Sequence, residues 1–315
     1  MTIVASGSVA FDYILTYAGR FRDHILLDKA HVLNLSFNVE SLQRRRGGCA
    51  LNYAYNLRLL QHPAAILATA GHDGAEHKQW LESLGVDCRG LRLLEGELTA
   101  TGFTTTDLDS NQLTGYYGGA MYKAPMLGIE DSVPNPEAAI VGPNDPAAIV
   151  RLARECQERG VRFVYDPAFE IKDLSGEALA DGARGAWIVI GNDYEMELLS
   201  QKTGRAPTDL GAELVVTTLG RQGSVIEVGG LRHEIPPAPP TREVDPTGAG
   251  DAYRAGLAVG LLRGLDVPAA GRVASLAATW AVEQVGTVEH TYTPAEFTAR
   301  YAEAFGSALP DTFFS

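Results

Sequence analysis

Three small residues, Gly248-Ala249-Gly250, stand directly before the carboxylate of Asp251, and a helix-like apolar run follows at once. Glycines leave their backbone N–H groups open to a ligand, and a helix N-terminus attracts anions. A carboxylate inside such an anion site repels what the loop attracts, so we interpret Asp251 as facing a second, neutral reactant. An anion site beside a base suits phosphoryl transfer to an alcohol. The alternative is a plain capping role for Asp251 in the first helical turn.

Other nucleotide-binding signatures are missing from the sequence. It contains no GxxxxGK[ST] loop, no VAIK, HRD and DFG set, and no GxGxxG fingerprint. These absences argue against a Walker-type site and a protein kinase, and they weaken the case for a dinucleotide enzyme.

The composition narrows the classes of partner. The 315 residues are 45% hydrophobic and 21% charged, as in ordinary globular proteins, and carry a net charge of −13. This balance argues against nucleic acid or an anionic membrane as a partner, because both select clustered Lys and Arg. The three cysteines lack metal-ligand spacing, which indicates a reducing compartment without structural zinc. With no signal-like segment and no apolar run of membrane length, we expect a cytoplasmic protein.

Short apolar runs alternate with helix-like segments over most of the chain. The strand-like runs are Thr2–Gly7, Ala65–Gly71, Ala138–Gly142, Arg162–Asp166, Trp187–Asn192 and Leu214–Gly220, and Gly223–Ile235 resembles a hairpin. The helix-like segments are Glu76–Gly85, Pro146–Gly160, Tyr194–Gly204, Ala252–Leu262, Val267–Val285 and Pro294–Phe305. This alternation predicts an α/β fold with a mainly parallel sheet between helices. The final residues, LPDTFFS, are interpreted as a loose tail.

Four further runs predict a small second sheet, which we call the lid. They are Tyr13–Tyr17, His31–Phe37, Ala100–Thr106 and Asn111–Tyr117, the last two flanking a DLDS turn. No helix among them would cover this sheet, so it is expected to cover something else. We therefore predict one domain over residues 1–315, with a lid built from about residues 10–45 and 97–122.

Five motifs together resemble the ribokinase-like (PfkB) family of sugar and nucleoside kinases. In chain order they are RRRGGCALNYA from Arg44, GHDG from Gly71, NDYE from Asn192, TTLGRQG from Thr217 and DPTGAGDAYRAG from Asp245. The resemblance extends from residue 7 to about residue 290. It implies a ribokinase-like fold and ATP-dependent phosphorylation of an alcohol.

The resemblance assigns roles at the acceptor end of the site. Asp251 would accept the proton of the hydroxyl, and the N–H groups of Ala249, Gly250 and Asp251, behind Gly248, would stabilise the transferring phosphoryl group. Substrate contacts would come from Ser8, Asp12, Ser36, Gly48 and Asn52, with Asp12 and Asn52 on sugar hydroxyls.

At the nucleotide end, Asn192 and Glu195 would orient phosphate oxygens and the Mg²⁺ shell. Thr218, Gly220 and Gly223 would line the ATP phosphates and ribose. The resemblance further implies a monovalent-cation (K⁺) site at Asp245, Thr247, Ala281, Gln284 and Gly286. Where many members have asparagine, this chain has Ala168, which removes the phosphate or metal contact expected from that side chain.

Within the family, the sequence is most similar to bacterial adenosine kinases, through the runs Leu33–Phe37, Ala100–Asp107 and Tyr116–Met121. Phe37, Phe103 and Tyr116 offer flat apolar faces on which a purine can stack. We therefore expect adenosine as the acceptor. The alternatives are that these rings only hold the lid together, that the acceptor is inosine, guanosine or a free sugar such as ribose or fructose, or that the protein binds ligand without catalysis.

Open sheet edges carry unpaired N–H and C=O groups that can pair with another chain, so the lid strands also predict a homodimer formed through the lid.

Overall fold

In the computed structural model, residues 1–24 and 36–314 are described, and two β-sheets carry the architecture. The main-sheet strands are β1 (Ile3–Ser6), β4 (Ala64–Gly71), β5 (Asp87–Leu94), β8 (Ala138–Val141), β9 (Arg162–Tyr165), β10 (Ile188–Asn192), β11 (Leu214–Thr218), β12 (Ser224–Val228) and β13 (Leu231–Ile235). The lid strands are β2 (Ala10–Thr16), β3 (Ser41–Gly47), β6 (Ala100–Thr106) and β7 (Gln112–Tyr117).

The main sheet has the order β13-β12-β11-β10-β9-β8-β1-β4-β5. It is parallel from β5 to β11 and ends in the predicted antiparallel hairpin of β12 and β13. Strands such as β1 and β8 are buried along their whole length, as expected for parallel strands covered on both faces. The predicted α/β class is confirmed.

Helices cover both faces of this sheet. They are α1 (Cys49–Leu59), α2 (Ala75–Ser83), α3 (Pro146–Arg159), α4 (Gly176–Ala183), α5 (Asp193–Thr203), α6 (Ala249–Leu262), α7 (Val267–Val282) and α8 (Pro294–Phe305). Successive side chains of β1 point to opposite faces of the sheet and contribute to two cores. Ile3 and Ala5 pack with α1, α6, α7 and α8, whereas Val4 packs with α3, α4 and α5. Because the strands are parallel, their carboxyl ends and the following helix N-termini meet at one edge.

The lid sheet has the order β3-β2-β6-β7. Three of its strands match predicted runs, but β3 does not, because its three consecutive arginines are untypical of a strand. Arg44 and Arg46 instead lay their side chains over the rings of Phe11 and Trp80. The run His31–Phe37, predicted as a lid strand, falls mostly outside the described residues, and its described part, 36–37, is not a strand.

Two other expectations differ from the structure. β5, α1 and α4 have no counterpart among the predicted segments. The tail predicted to be loose is anchored, since Leu309 and Phe313 are buried in the core and Arg263 lies over the Phe313 ring. No helix among the described residues is long and apolar enough to cross a membrane.

Candidate active site

The glycine-rich loop ends at the first turn of α6. Gly248 caps this helix in the left-handed conformation, with φ of 83°, where a side chain would be strained. The N–H of Ala249 donates to the Pro246 carbonyl at 3.2 Å. Within the described residues, the N–H groups of Gly250 and Asp251 have no such acceptor, as is usual for a first helical turn. The predicted anion site therefore rests on Gly250 and Asp251, and Ala249 is a correction, because its N–H closes the turn.

Asp251 lies half-buried beside α1. Its Oδ2 accepts a hydrogen bond of 2.7 Å from the Asn52 side chain, so two residues predicted to serve the acceptor are in direct contact. Burial raises the pKa of Asp251 to about 6, although the Asn52 hydrogen bond and the nearby Arg254 oppose this rise. A carboxylate with this pKa is ionised at neutral pH and is a stronger base than an exposed aspartate.

The start of α1 packs against the segment that follows β1. The Ser8 hydroxyl accepts a hydrogen bond of 3.2 Å from the Cys49 N–H. A Cβ on Gly48, which has φ of 94°, would lie 2.5 Å from the Ser8 carbonyl oxygen. The glycine is thus required by contact between two backbone segments, whatever it contributes to ligand approach.

The lid presents two different faces. Register pairs Asp12 with Gly102, and Gly102 with Tyr116, so the side chains of Asp12 and Tyr116 share one face. A Cβ on Gly47, shortly before α1, would meet the Asp12 carboxylate, so this face lies at the α1 end of the site. Burial raises the pKa of Tyr116.

Phe103 lies on the opposite face of the lid. Its ring stacks on Tyr13 with centroids 5.2 Å apart, and its side chain is 46% exposed. The structure therefore does not bring Phe103 to the face that carries Asp12 and Tyr116, because neighbouring residues of a strand point to opposite faces. Phe37 packs among Tyr17 and Phe21, and Ser36 is exposed, without a contact to the site among the described residues.

A cavity of about 520 Å³ adjoins the other side of the loop. It lies between the end of β11, the segment after β13, and helices α6 and α7. The cavity brings together the predicted nucleotide residues Thr218, Gly220 and Gly223 with Ala249 and Gly250 of the loop. At this edge of the sheet, the apolar cavity lies on one side of the Gly250 and Asp251 N–H groups, and the Asp251 carboxylate lies on the other.

Asn192 and Glu195 form a reciprocal cap at the start of α5. The Asn192 side chain accepts from the Glu195 N–H, and the Glu195 carboxylate accepts from the Asn192 N–H, both at 2.8 Å. Burial raises the pKa of Glu195, and Asp166 adds to the rise. The NDYE motif therefore has a structural role beside its predicted role toward phosphate and Mg²⁺.

The predicted cation loop is organised around Asp245. Its two carboxylate oxygens accept the N–H groups of Thr247 at 2.9 Å and Gly286 at 3.0 Å. The Ala281 carbonyl accepts the Gln284 N–H at 3.3 Å. Each Asp245 oxygen keeps a second lone pair, whereas the Ala281 carbonyl accepts the N–H groups of both Glu283 and Gln284. The monovalent-cation site at these residues stays a prediction.

Sequence reasoning missed a buried network behind Asp251. Arg254 Nη2 donates to Asp166 Oδ1 at 2.7 Å, and the Tyr53 hydroxyl donates to Asp166 Oδ2 at 2.6 Å. All three side chains are buried. The available signal was an arginine among the apolar residues of α6. Glu170 was also missed: it is 6% exposed, its carboxyl group has no hydrogen-bond partner within the described residues, and burial raises its pKa to about 7.

Comparison with known proteins identifies a family and structures that share this fold. The model of the pfkB family of carbohydrate kinases matches residues 8–294. A nucleoside kinase of Methanothermobacter thermautotrophicus is 30% identical over 314 residues, which cover 98% of each chain.

Among solved structures, Burkholderia thailandensis nucleoside kinase in complex with inosine has a TM-score of 0.88 at 34% identity, covering 98% of this chain and 99% of that one. The nucleoside kinase of Methanocaldococcus jannaschii, described as an archaeal member of the ribokinase family, has a TM-score of 0.84 at 26% identity, covering 96% of this chain and 98% of that one.

Proposed function

Because the chain belongs to the pfkB family of carbohydrate kinases, we propose that it is an ATP-dependent nucleoside kinase with adenosine as its acceptor. The observation that carries this proposal is the contact of Asp251 with Asn52 beside the unpaired N–H groups of Gly250 and Asp251. In this set, Asp251 removes the proton, Asn52 binds a hydroxyl of the sugar, and the two N–H groups stabilise the negative charge on the transferring phosphoryl group.

The reaction follows from this arrangement. The 5′-hydroxyl oxygen of the nucleoside attacks the γ-phosphorus of ATP as the bond to the β-phosphate oxygen breaks. The hydroxyl proton passes to Asp251 late in the step, since an alcohol is too weak an acid to ionise first. The products are the nucleoside 5′-monophosphate and ADP. The N–H groups of Gly250 and Asp251 hold the charge that develops on the transferring group.

The two sides of the loop separate the two substrates. The apolar cavity lined by Thr218, Gly220 and Gly223 suits the nucleotide, with Asn192 and Glu195 toward its phosphates. Mg²⁺, held indirectly through Glu195, would supply charge neutralisation on the phosphates. A monovalent cation at Asp245 would add to the field of the loop.

The acceptor lies under the lid in this proposal. Asp12 and Asn52 bind ribose hydroxyls, and Tyr116 offers a ring to the base. A free hexose would use the ring less well, which favours a nucleoside.

A second candidate acceptor is inosine. It is favoured by the inosine complex of the Burkholderia thailandensis enzyme, which is 34% identical to this chain. The 6-amino group of adenine and the 6-oxo group of hypoxanthine present opposite hydrogen-bonding groups at one position, so comparison of the two nucleosides tests the finer proposal directly.

The test is ADP release from ATP·Mg²⁺ with adenosine, inosine, guanosine, ribose and fructose in parallel, repeated with Asp251→Asn. We expect the highest kcat/KM with adenosine and a fall in kcat of roughly three powers of ten in the variant. Asp209→Asn, an exposed aspartate distant from the loop, is the control. A preference for inosine would replace the acceptor only, preference for a free sugar would refute the nucleoside proposal, and wild-type inactivity on every acceptor would refute catalysis.

A further inference from the structure

A buried guanidinium lies directly behind the anion-binding turn. Arg254 is 7% exposed and sits one helical turn after Gly250 on α6. Its Nη1 donates a hydrogen bond of 3.1 Å to the Gly250 carbonyl. In an α-helix, the carbonyl of Gly250 also accepts the backbone N–H four residues later. The guanidinium is therefore a second donor to this carbonyl, and it is charged.

This contact acts on the proposed anion site through a single peptide group. The Gly250 carbonyl and the Asp251 N–H belong to the same planar unit and point in opposite directions. A cation at the carbonyl oxygen fixes the direction of that N–H and polarises it into a stronger donor. Among the residues that the structure describes, this N–H and that of Gly250 are the two in the first turn of α6 without an acceptor.

Asp166 fixes the guanidinium in turn. It follows β9, is 1% exposed, and pairs with both Nη2 and Nε of Arg254. Its second oxygen also accepts the Tyr53 hydroxyl at 2.6 Å. The hydrogen bonds of Nη2 to Asp166 and of Nη1 to Gly250 fix the plane of the guanidinium, whereas a lysine would leave its single charge free to rotate.

Stability by itself is a weak reason for such a pair. Desolvation offsets much of the attraction between buried charges, and apolar side chains of similar volume often stabilise a fold equally well. The pair of Arg254 and Asp166 joins α6 to the end of β9, and Arg254 also contacts the peptide proposed to bind the phosphoryl group. This contact suggests a role in positioning that peptide. We propose that Arg254, held by Asp166 and Tyr53, is a positioning residue that orients and polarises the Gly250–Asp251 peptide for the transferring phosphoryl group.

The same network sets the charge around the base. Arg254 favours ionised Asp251, while Asp166 opposes it, and the hydrogen bond from Asn52 stabilises the carboxylate. The Cys49 thiol, whose pKa is raised well above its ordinary value by burial and then by Asp251, is neutral beside it. Loss of Arg254 alone therefore raises the pKa of Asp251 and leaves Asp166 buried without its partner.

This inference rests on the proposed function, and the double variant Arg254→Met/Asp166→Leu tests it. The double variant replaces the charged pair with apolar side chains and should restore most of the thermal stability that Arg254→Met alone loses. We expect its kcat to stay at least roughly tenfold below wild type, with the KM for the nucleoside changed by less than about threefold. Arg254→Lys should keep the acidic limb of the pH profile yet lower kcat, because one ammonium group cannot hold both Asp166 and the Gly250 carbonyl in the fixed geometry of a guanidinium.

The control is Arg159→Met/Glu155→Leu, which removes an ion pair of 3.1 Å within α3 and should leave kcat unchanged. Recovery of kcat together with stability in the Arg254 double variant would overturn the proposal. The amide proton resonance of Asp251, measured with ¹⁵N-aspartate labelling, gives a readout without turnover. An upfield shift of this resonance in the double variant supports polarisation by Arg254, and an unchanged shift refutes it. Because this measurement needs no turnover, its result is independent of whether the wild type phosphorylates any acceptor.

Discussion

At the scale of single residues, Asp251 combines two demands that oppose each other. It sits where N–H groups attract anions, yet burial raises its pKa to about 6. The contact with Asn52 keeps the carboxylate ionised near neutral pH. A base of this strength accepts a proton late in phosphoryl transfer and is still charged at the start of the reaction.

This pKa predicts the acidic limb of the activity profile. Because Asp251 must be unprotonated to act, and its pKa is raised to about 6, kcat/KM should fall as pH drops through that value. Below it, the loss should approach tenfold per pH unit. The measurement is steady-state turnover from about pH 5 to about pH 8, with circular dichroism to confirm folding at each pH. A flat profile across this range would contradict the role of Asp251 as the base.

At the scale of elements, helix N-termini organise the site. The start of α6 supplies the N–H groups, the start of α1 brings Asn52 to Asp251, and the start of α5 carries the Asn192–Glu195 cap. The starts of α5 and α6 follow segments that leave the main sheet at the same edge, and α1 begins directly after the lid strand β3; helix dipoles at such N-termini favour phosphate.

The cap of α5 allows its structural and catalytic roles to be separated. Asn192→Ala removes one side of the capping box and should lower the free energy of unfolding by about 1 kcal/mol. Thr293→Ala, in the equivalent box of α8, should cost the same. Only Asn192→Ala should also reduce kcat/KM for ATP, by roughly tenfold. Thermal or urea unfolding together with ATP titrations would measure both effects. Equal activity of the two variants would restrict Asn192 to capping.

At the scale of the whole molecule, the lid leaves both of its edges, β3 and β7, without a partner strand in the described part of the chain. Every residue of β7 is exposed. The outer face of the lid, opposite Asp12, carries Phe103 of β6 and Leu113 and Tyr117 of β7, each at least 46% exposed. Open edges and apolar faces of this kind associate, which supports the proposal that two copies pair through their lids.

Leu113→Asp should weaken this dimer, because it places a charge on the outer face of the lid. Leu231→Asp, on the edge strand β13 and 64% exposed, is the matched control at the far end of the main sheet. Light scattering after size-exclusion chromatography should show a dimer for wild type and the control and a monomer for Leu113→Asp. A monomeric wild type at micromolar concentration, or a control that also dissociates, would argue against the lid as the interface.

Local patterns were sufficient for much of this molecule. The glycine-rich turn, the acid behind it and the alternation of strands and helices each depend on neighbouring residues, because backbone freedom and side-chain periodicity are local properties. The base and its helix were therefore predicted from the sequence. The strand β3 was not, since its arginines are accommodated by rings from β2 and α2, which are distant in sequence.

Tertiary structure decided what depends on pairing between distant segments. Strand alternation separates two faces, but only the register of β2, β6 and β7 placed Tyr116 with Asp12 and Phe103 opposite them. The Ala249 N–H, predicted to bind phosphate, is used within its own turn. Arg254 and Asp166 are 88 residues apart in the chain, and no local pattern pairs them. Burial allows their charges to act on the Gly250–Asp251 peptide, because only the folded chain excludes water from around them.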